Sequence, residues 1–318
     1  MTRVVVTGAG GFIGSHLVSY LKAQGCWVRG VDLKEPEFAM SDADEFLLAD
    51  LRRPDACLEA LIGAEEVYAL AADMGGMGYI STHHAEILHN NALINLHTLA
   101  AARAHGVQRY LYTSSACVYP EHLQTDAQVT PLREEDAYPA DPQDAYGWEK
   151  LFTEKACQYY RDEYGLATRV VRFHNIYGPL GTYDGGREKA PAALCRKVAA
   201  ATDPGTVDIW GDGEQTRSFC YIDDCVEGIW RLMRSEHLEP LNLGSEEMVS
   251  INDLARIIIG ISGKSDIELR HIEGPQGVRG RNSDNNRLRE VLGWEPPTSL
   301  AEGLAPTYGW IEKQLDGR

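Results

Sequence analysis

Short β-branched runs alternate along this chain with longer stretches in which apolar residues recur every three or four positions. Arg3–Thr7, Trp27–Val31, Val67–Leu70, Arg109–Thr113 and Thr168–Phe173 read as strands, and Phe12–Gln24, Ala85–Ala104 and Asp144–Tyr164 read as helices. This alternation predicts crossover connections and a parallel sheet covered on both faces, an α/β doubly wound fold. After Asn175 the pattern turns irregular, with glycine-rich loops at Gly178–Gly186 and Gly211–Gly213. A boundary is expected there, between a first domain over 1–174 and a smaller C-terminal α/β substrate lobe over 175–318. Phe219–Arg234 reads as a strand and helix returning to the first domain, at about 216–236.

A length of 318 residues suits one large domain with an appended lobe, and 44% hydrophobic with 24% charged residues suits a globular protein. The formal charge of −17 opposes non-specific binding to nucleic acid, so any polyanionic ligand must be held by local basic residues. No apolar run reaches the roughly 18–20 residues that span a bilayer. Met1–Val6 enters a strand pattern at once, without the features of a secretion signal, so no membrane partner is expected. Seven cysteines without paired spacing predict reduced thiols and a cytoplasmic location. Cys220 and Cys225 lack the pairing of a structural zinc site, and no metal is expected.

Val4-Val5-Val6-Thr7-Gly8-Ala9-Gly10-Gly11-Phe12-Ile13-Gly14 places a strand, a glycine turn and a helix start in succession. Gly8 allows the tight turn, Gly11 the approach of a pyrophosphate and Gly14 close packing of helix on sheet, while the amides opening the helix at Phe12 and Ile13 face the phosphates. Asp32 ends the second strand, where a carboxylate accepts from ribose hydroxyls and repels a 2'-phosphate, so NAD is expected over NADP in a Rossmann-type domain. Asp50 is placed to meet the adenine edge, although an aspartate at a strand end is as often a plain turn residue.

Tyr146 and Lys150 lie four residues apart, on one face of a predicted helix. A nearby ammonium together with the cationic nicotinamide ring is expected to lower the phenol from its usual pKa of about 10, so that it can take a hydroxyl proton while hydride leaves the same carbon for NAD. Ser115 is expected to bind the same oxygen. Taken alone such a pair is usually a surface feature; behind a complete dinucleotide fingerprint the catalytic reading prevails.

These features resemble the extended short-chain dehydrogenase/reductase family, and the likeness covers nearly the whole chain. Arg172-Phe173-His174-Asn175-Ile176-Tyr177-Gly178-Pro179 is similar to its nucleotide-sugar segment, Gly211-Asp212-Gly213-Glu214-Gln215-Thr216-Arg217 to its diphosphate loop, and Leu292-Gly293-Trp294-Glu295-Pro296 to its C-terminal signature. Members that dehydrate sugar nucleotides carry an acidic pair after the serine or threonine, where this chain has Ala116 and Cys117. Alanine has no proton to give. A simple 4-epimerase would have no task for the thiol. Oxidation at C4 of a hexose acidifies the hydrogens at C3 and C5, and a Cys117 thiolate suits removal of one of them. Inversion then needs delivery from the opposite face, for which Lys189 is the candidate, because a buried lysine's pKa falls towards neutrality. The plainer readings are a small buried cysteine and a phosphate-clamping or exposed lysine.

Ala72–Gly78, Ser114–Cys117, Gly185–Ala193 and Gly277–Asn286 are strings not general to the family, and they resemble one of its epimerase branches, which acts on a GDP-hexose. That resemblance implies that Tyr146 and Lys150 run a C4 redox step with NAD retained, and that Cys117 and Lys189 exchange protons at C5 and C3. It also implies substrate contacts from Gly75, Ser115, Ala116, Cys117, Asn175, Glu188, Lys189, Ala190, Lys197, Gln215, Thr216, Arg217 and Arg281, with Arg279 an equal alternative to Arg281. The chain stops at Arg318, short of some relatives, so contacts those make from a C-terminal extension are expected to be missing. Other readings are an epimerase acting at C4, one acting on another nucleotide sugar, and a non-catalytic NAD sensor. Helices 85–104 and 144–164 are expected to pair with a second copy in a homodimer, as in many relatives, although packing on the sheet explains their stripes almost as well.

Overall fold

The computed structural model describes residues 1–275 and 277–317, apart from the side chain of Met77. Its centre is a seven-stranded parallel sheet formed by β1 (Arg3–Thr7), β2 (Trp27–Asp32), β3 (Glu45–Leu48), β4 (Glu66–Ala69), β5 (Arg109–Ser115), β6 (Ala167–Phe173) and the strand Leu241–Leu243. In space they run Leu241–Leu243, β6, β5, β4, β1, β2, β3. The order reverses between β1 and β4, the switch point where doubly wound sheets bind ligands beyond their carboxyl ends. Val4, Val5 and Val6 are almost wholly buried because helices cover both faces, and such a side chain contributes roughly 1.5–3 kcal/mol by leaving water.

The helix Phe12–Ala23 turns Leu17, Val18 and Leu21 into one face of this core. On the other face lie the helices His84–Ala104 and Ala145–Tyr164. The Ala145–Tyr164 helix begins where the Asp144 carboxylate accepts the Gly147 amide at 2.8 Å, and it ends at Gly165, in the left-handed conformation with φ 72°.

The five strands and three helices read from the pattern are present to within two residues. β3 escaped because it is a short, half-exposed edge strand with little apolar signature. The strand expected at Phe219 is also placed differently. Cys220–Tyr221 pairs with Ile176–Tyr177 outside the central sheet, whereas the helix Ile222–Arg234 packs on the central core and leads to Leu241–Leu243, which joins the sheet beside β6. The second lobe packs the helices Ala190–Ala200, Ile251–Ser262 and Leu300–Asp316 around their own apolar core, against the parallel pair Gly205–Trp210 and Ile267–Ile272. A three-stranded sheet of Met248–Ser250, Thr216–Ser218 and Gly280–Arg281 completes it. Among the described residues no helix is long and apolar enough to cross a membrane.

Candidate active site

A cavity of about 970 Å³ runs from the carboxyl ends of β1 and β2 across to the second lobe. At its first end Gly8 sits at φ 73°, a left-handed turn, and a Cβ on Gly14 would lie 2.0 Å from the Gly8 carbonyl oxygen. The helix behind them starts at Gly11 without a side-chain cap, so the amides opening it at Phe12 and Ile13 are left for an anion. The Asp32 carboxylate is fixed by the amides of Gly10 (3.0 Å), Leu33 (2.6 Å) and Lys34 (3.3 Å) and lines the cavity. Strand, uncapped helix and oriented carboxylate fit the two phosphates and a ribose of a dinucleotide. Asp50 also lines this end, but Arg52 grips it with a 2.7 Å contact and holds its pKa below the usual carboxylate value.

Ser115, Cys117, Tyr146 and Lys150 reach the middle of the same cavity. β5 delivers Ser115, whose hydroxyl accepts the Cys117 amide at 3.2 Å and opens a single helical turn over Ala116–Val118. That turn abuts the start of the Ala145–Tyr164 helix so closely that a Cβ on Gly147 would lie 2.2 Å from the Cys117 carbonyl oxygen. Lys150 donates to the Thr113 carbonyl at 3.0 Å, and its ammonium lies 5.4 Å from the centre of the Tyr146 ring. In the protein alone burial drives the Tyr146 pKa well above its ordinary value, with the Cys117, Glu149 and Asp144 charges adding to it and a Ser115 hydrogen bond opposing, so the expected lowering would need the positive ring of bound NAD. Desolvation of the charged form outweighs the nearby ammonium.

Among the described residues Cys117 alone of the seven cysteines is not buried. Arg281 holds it from the lobe side, donating from Nη1 to Sγ at 3.4 Å and from Nε to Gln124 Oε1 at 2.6 Å. Lys189, at the start of the helix Ala190–Ala200, lines the same cavity. Contrary to the expectation of a buried lysine, its side chain is exposed to the open cleft, although desolvation by the surrounding protein still lowers its pKa from the ordinary lysine value.

Gly75, Asn175, Glu188, Ala190, Lys197, Gln215, Arg217 and Arg281 also line the cavity. Lys197 donates to the Asp208 carbonyl at 2.7 Å, and Gln215 donates to the Trp210 carbonyl at 3.1 Å while its Oε1, buried, has no partner. An orphaned acceptor in a cleft wall suits a ligand donor. Burial and the Arg281 cation push the Arg217 pKa down to about 9, an environment that favours an arriving anion. Two expected contacts are corrected as side-chain contacts. Ala116 is 2% exposed, turned into a small core with Val118 and Tyr119, because the single helical turn points alternate side chains inward. Thr216 faces away, its hydroxyl donating to the Ala127 carbonyl. Of the two arginines, Arg281 lines the cavity, whereas Arg279 does not and is held by both oxygens of Asp212 at 2.8 Å. Among the described residues no cluster of metal-ligating side chains is present.

The sequence of residues 4–244 matches the NAD dependent epimerase/dehydratase family. The chain belongs to that family. It is 52% identical over 316 residues to GDP-mannose 3,5-epimerase 1 of Oryza sativa subsp. japonica, covering 99% of this chain and 82% of that one. It is 51% identical to GDP-mannose 3,5-epimerase of Arabidopsis thaliana, covering 99% and 83%. Among solved structures it resembles the UDP-glucose 4-epimerase of Thermotoga maritima, determined with UDP-glucose, at a TM-score of 0.89 and 28% identity over 99% of this chain and all of that one. The UDP-glucuronic acid 4-epimerase of Bacillus cereus, determined with UDP-glucuronic acid and NAD, superimposes at 0.85 with 27% identity over 99% and 100%. NAD is the cofactor of this family, and the glycine cradle with Asp32 fits it.

Several participants were invisible in the sequence. Gln124, which orients Arg281, sits 1% exposed at the end of a single helical turn, Glu121–Gln124, too short to carry a period. Asp73 accepts from Tyr79 (3.0 Å) and Asn90 (3.0 Å), and Arg187 stacks its guanidinium 3.8 Å from the Tyr79 ring. With Gly76 donating to the Arg187 carbonyl at 3.1 Å, these contacts clasp Ala72–Gly78 to Gly185–Ala193 over the cavity. The two unusual strings are thus partners across one cleft.

Proposed function

We propose that the protein is an NAD-dependent isomerase that converts GDP-alpha-D-mannose to GDP-beta-L-galactose, and to GDP-L-gulose by inversion at C5 alone. The observation that carries this reading is that the Cys117 thiol opens into the cavity shared by Tyr146, Lys150 and Lys189. Identity of 52% to a GDP-mannose 3,5-epimerase supports the choice of substrate. Bound NAD would supply a hydride acceptor, and then donor, at C4, held by the Gly8–Gly14 cradle and Asp32. Tyr146 takes the C4 hydroxyl proton as its phenolate, a form that burial disfavours and that the Lys150 ammonium, together with the positive charge NAD would bring, stabilises, with Ser115 bonded to the same oxygen. With C4 a ketone, Cys117 removes a proton from an adjacent carbon and Lys189 delivers one from the opposite face, at both C5 and C3. A depressed pKa makes Lys189 the readier donor. Lys197, Arg217 and Arg281 offset the repulsion between a diphosphate and a protein of charge −17, and Gln215 Oε1 awaits a donor from the nucleotide.

Turnover of GDP-mannose in deuterated water checks this directly. Deuterium should enter C3 and C5 and stay out of C4; a product unlabelled at both carbons defeats the assignment. We further place the enzyme in the cytoplasm, in keeping with seven unpaired cysteines, and read it as a homodimer. Trp148, Phe152 and Tyr159 form an outward stripe on the helix Ala145–Tyr164, which packs beside the helix His84–Ala104 that carries Leu88, and all four are exposed by more than two fifths. Phe152→Asp should yield a monomer by light scattering, and an unchanged mass would remove this interface.

A further inference from the structure

The redox pair stands on a floor of buried charge. Lys150 is 2% exposed, and among the described residues no carboxylate approaches its ammonium within 4.0 Å. Its ammonium donates to the Thr113 carbonyl at 3.0 Å and lies 4.8 Å from the centre of the Tyr112 ring and 5.4 Å from that of Tyr146. On the far edge of that ring, the Tyr112 hydroxyl donates to Glu149 Oε1 at 3.4 Å. Glu149 is wholly buried, and the same oxygen accepts from Asn95 Nδ2 at 2.6 Å and Thr153 Oγ1 at 2.9 Å. Its second oxygen has no partner. A proton placed there would have nothing to donate to, and the three donors around Oε1 would be satisfied equally well by an amide oxygen. A buried charge is costly unless an opposite charge compensates it. The other nearby acid, Glu154, is taken up by Arg172 at 2.7 Å and Ser114 at 2.5 Å, so one buried cation and one buried anion remain, separated by a single aromatic ring.

We infer that Glu149 is a positioning residue for the redox step: across Tyr112, its carboxylate is the counter-charge that keeps Lys150 an ammonium in the dry floor of the active site. The inference rests on the reading of Tyr146 and Lys150 as the redox pair. Burial opposes the charge on Lys150, while Glu149 heads the charges that support it, ahead of Cys117, Glu154 and Cys157. The same carboxylate acts with Cys117 and Asp144 to keep the Tyr146 phenol protonated, against a Ser115 hydrogen bond. Removing the charge at Glu149 therefore lets both groups lose their protons at lower pH.

The test is the pH dependence of nicotinamide reduction in a single turnover of the NAD-loaded enzyme with GDP-mannose, followed by near-ultraviolet absorbance, which isolates the C4 step from proton exchange by Lys189. Glu149→Gln keeps the acceptor for Asn95, Thr153 and Tyr112 and removes only the charge. Both limbs of its profile should move to lower pH by about one unit. Glu149→Met removes the charge without burying a new donor and should move them the same way. A rate lowered by one factor at every pH, with both limbs in place in either variant, makes Glu149 a structural knot and overturns the inference. Tyr146→Phe serves as the control for the underlying reading: full reduction without the phenol defeats the redox assignment itself, whereas a dead Tyr146→Phe beside unmoved limbs defeats only the role given to Glu149.

Discussion

On the side of the central sheet the cavity wall is largely backbone: the Gly8 turn, the uncapped start of the Phe12–Ala23 helix, and a carboxylate locked by three amides. On the lobe side it is side chains, Lys189, Lys197, Gln215, Arg217 and Arg281, gathered from three separated segments. A backbone cradle is set by the fold and needs no ligand to hold its shape. A cluster of cations close enough for Arg281 to lower the Arg217 pKa is electrostatically strained until an anion arrives. The first wall suits a cofactor that stays, and the second suits a substrate that comes and goes.

The largest effect is expected from the chemistry that spans the two walls. Cys117→Ala should lower epimerisation by roughly 10³-fold while transient nicotinamide reduction and bound NAD persist; retained product formation would show that the sheet-side redox pair acts without the thiol. Acid should then loosen both walls together through His174, wholly buried at the seam and bonded to Asn242 at 3.1 Å. Burial pushes its folded pKa down to about 3 from 6.5. The folded state thus binds fewer protons, and the stability this gives is complete above 6.5 and fades as pH falls through that window towards 3. The loss is roughly 3–5 kcal/mol, and urea midpoints followed down the pH scale should fall less steeply in His174→Gln.

Gly14→Ala attacks the backbone wall alone. With a Cβ 2.0 Å from a carbonyl oxygen, it should cost about 1–3 kcal/mol and reduce the NAD that copurifies with the protein. Normal NAD content would show that the cradle yields more than its geometry suggests. The side-chain wall is sharpened by two neighbouring arginines. Arg281→Ala should raise KM through a loss of roughly 2 kcal/mol, whereas Arg279→Ala, which breaks only an exposed pair with Asp212, should change KM by less than about 1 kcal/mol. Equal effects would mean that cavity lining does not distinguish them.

Most of the sheet side was legible beforehand. Strand, glycine turn, helix start and Asp32 are contiguous or nearly so, and local conformational rules tie each residue type to its backbone task. The Tyr146, Lys150 and Cys117 positions were legible for the same reason, since a helical period and a strand end fix them. Glu149 left a trace of its own: it falls on the buried face with Tyr146, Lys150 and Thr153, an ionisable residue where the period calls for an apolar one. The short strands β3 and Leu241–Leu243 were not legible, because three or four residues carry too little pattern.

The order of elements, the doubly wound sheet and the positions of Ser115, Cys117, Tyr146 and Lys150 at the cleft were thus written in the chain itself, because each depends on residues close in sequence. Folding alone decided that Arg281 rather than Arg279 touches the thiol, that Ala116 and Thr216 turn away, and that burial raises Tyr146 rather than lowering it. Those outcomes depend on desolvation and on contacts across more than a hundred residues of chain, such as Gln124 with Arg281, and neither quantity exists until the core has closed.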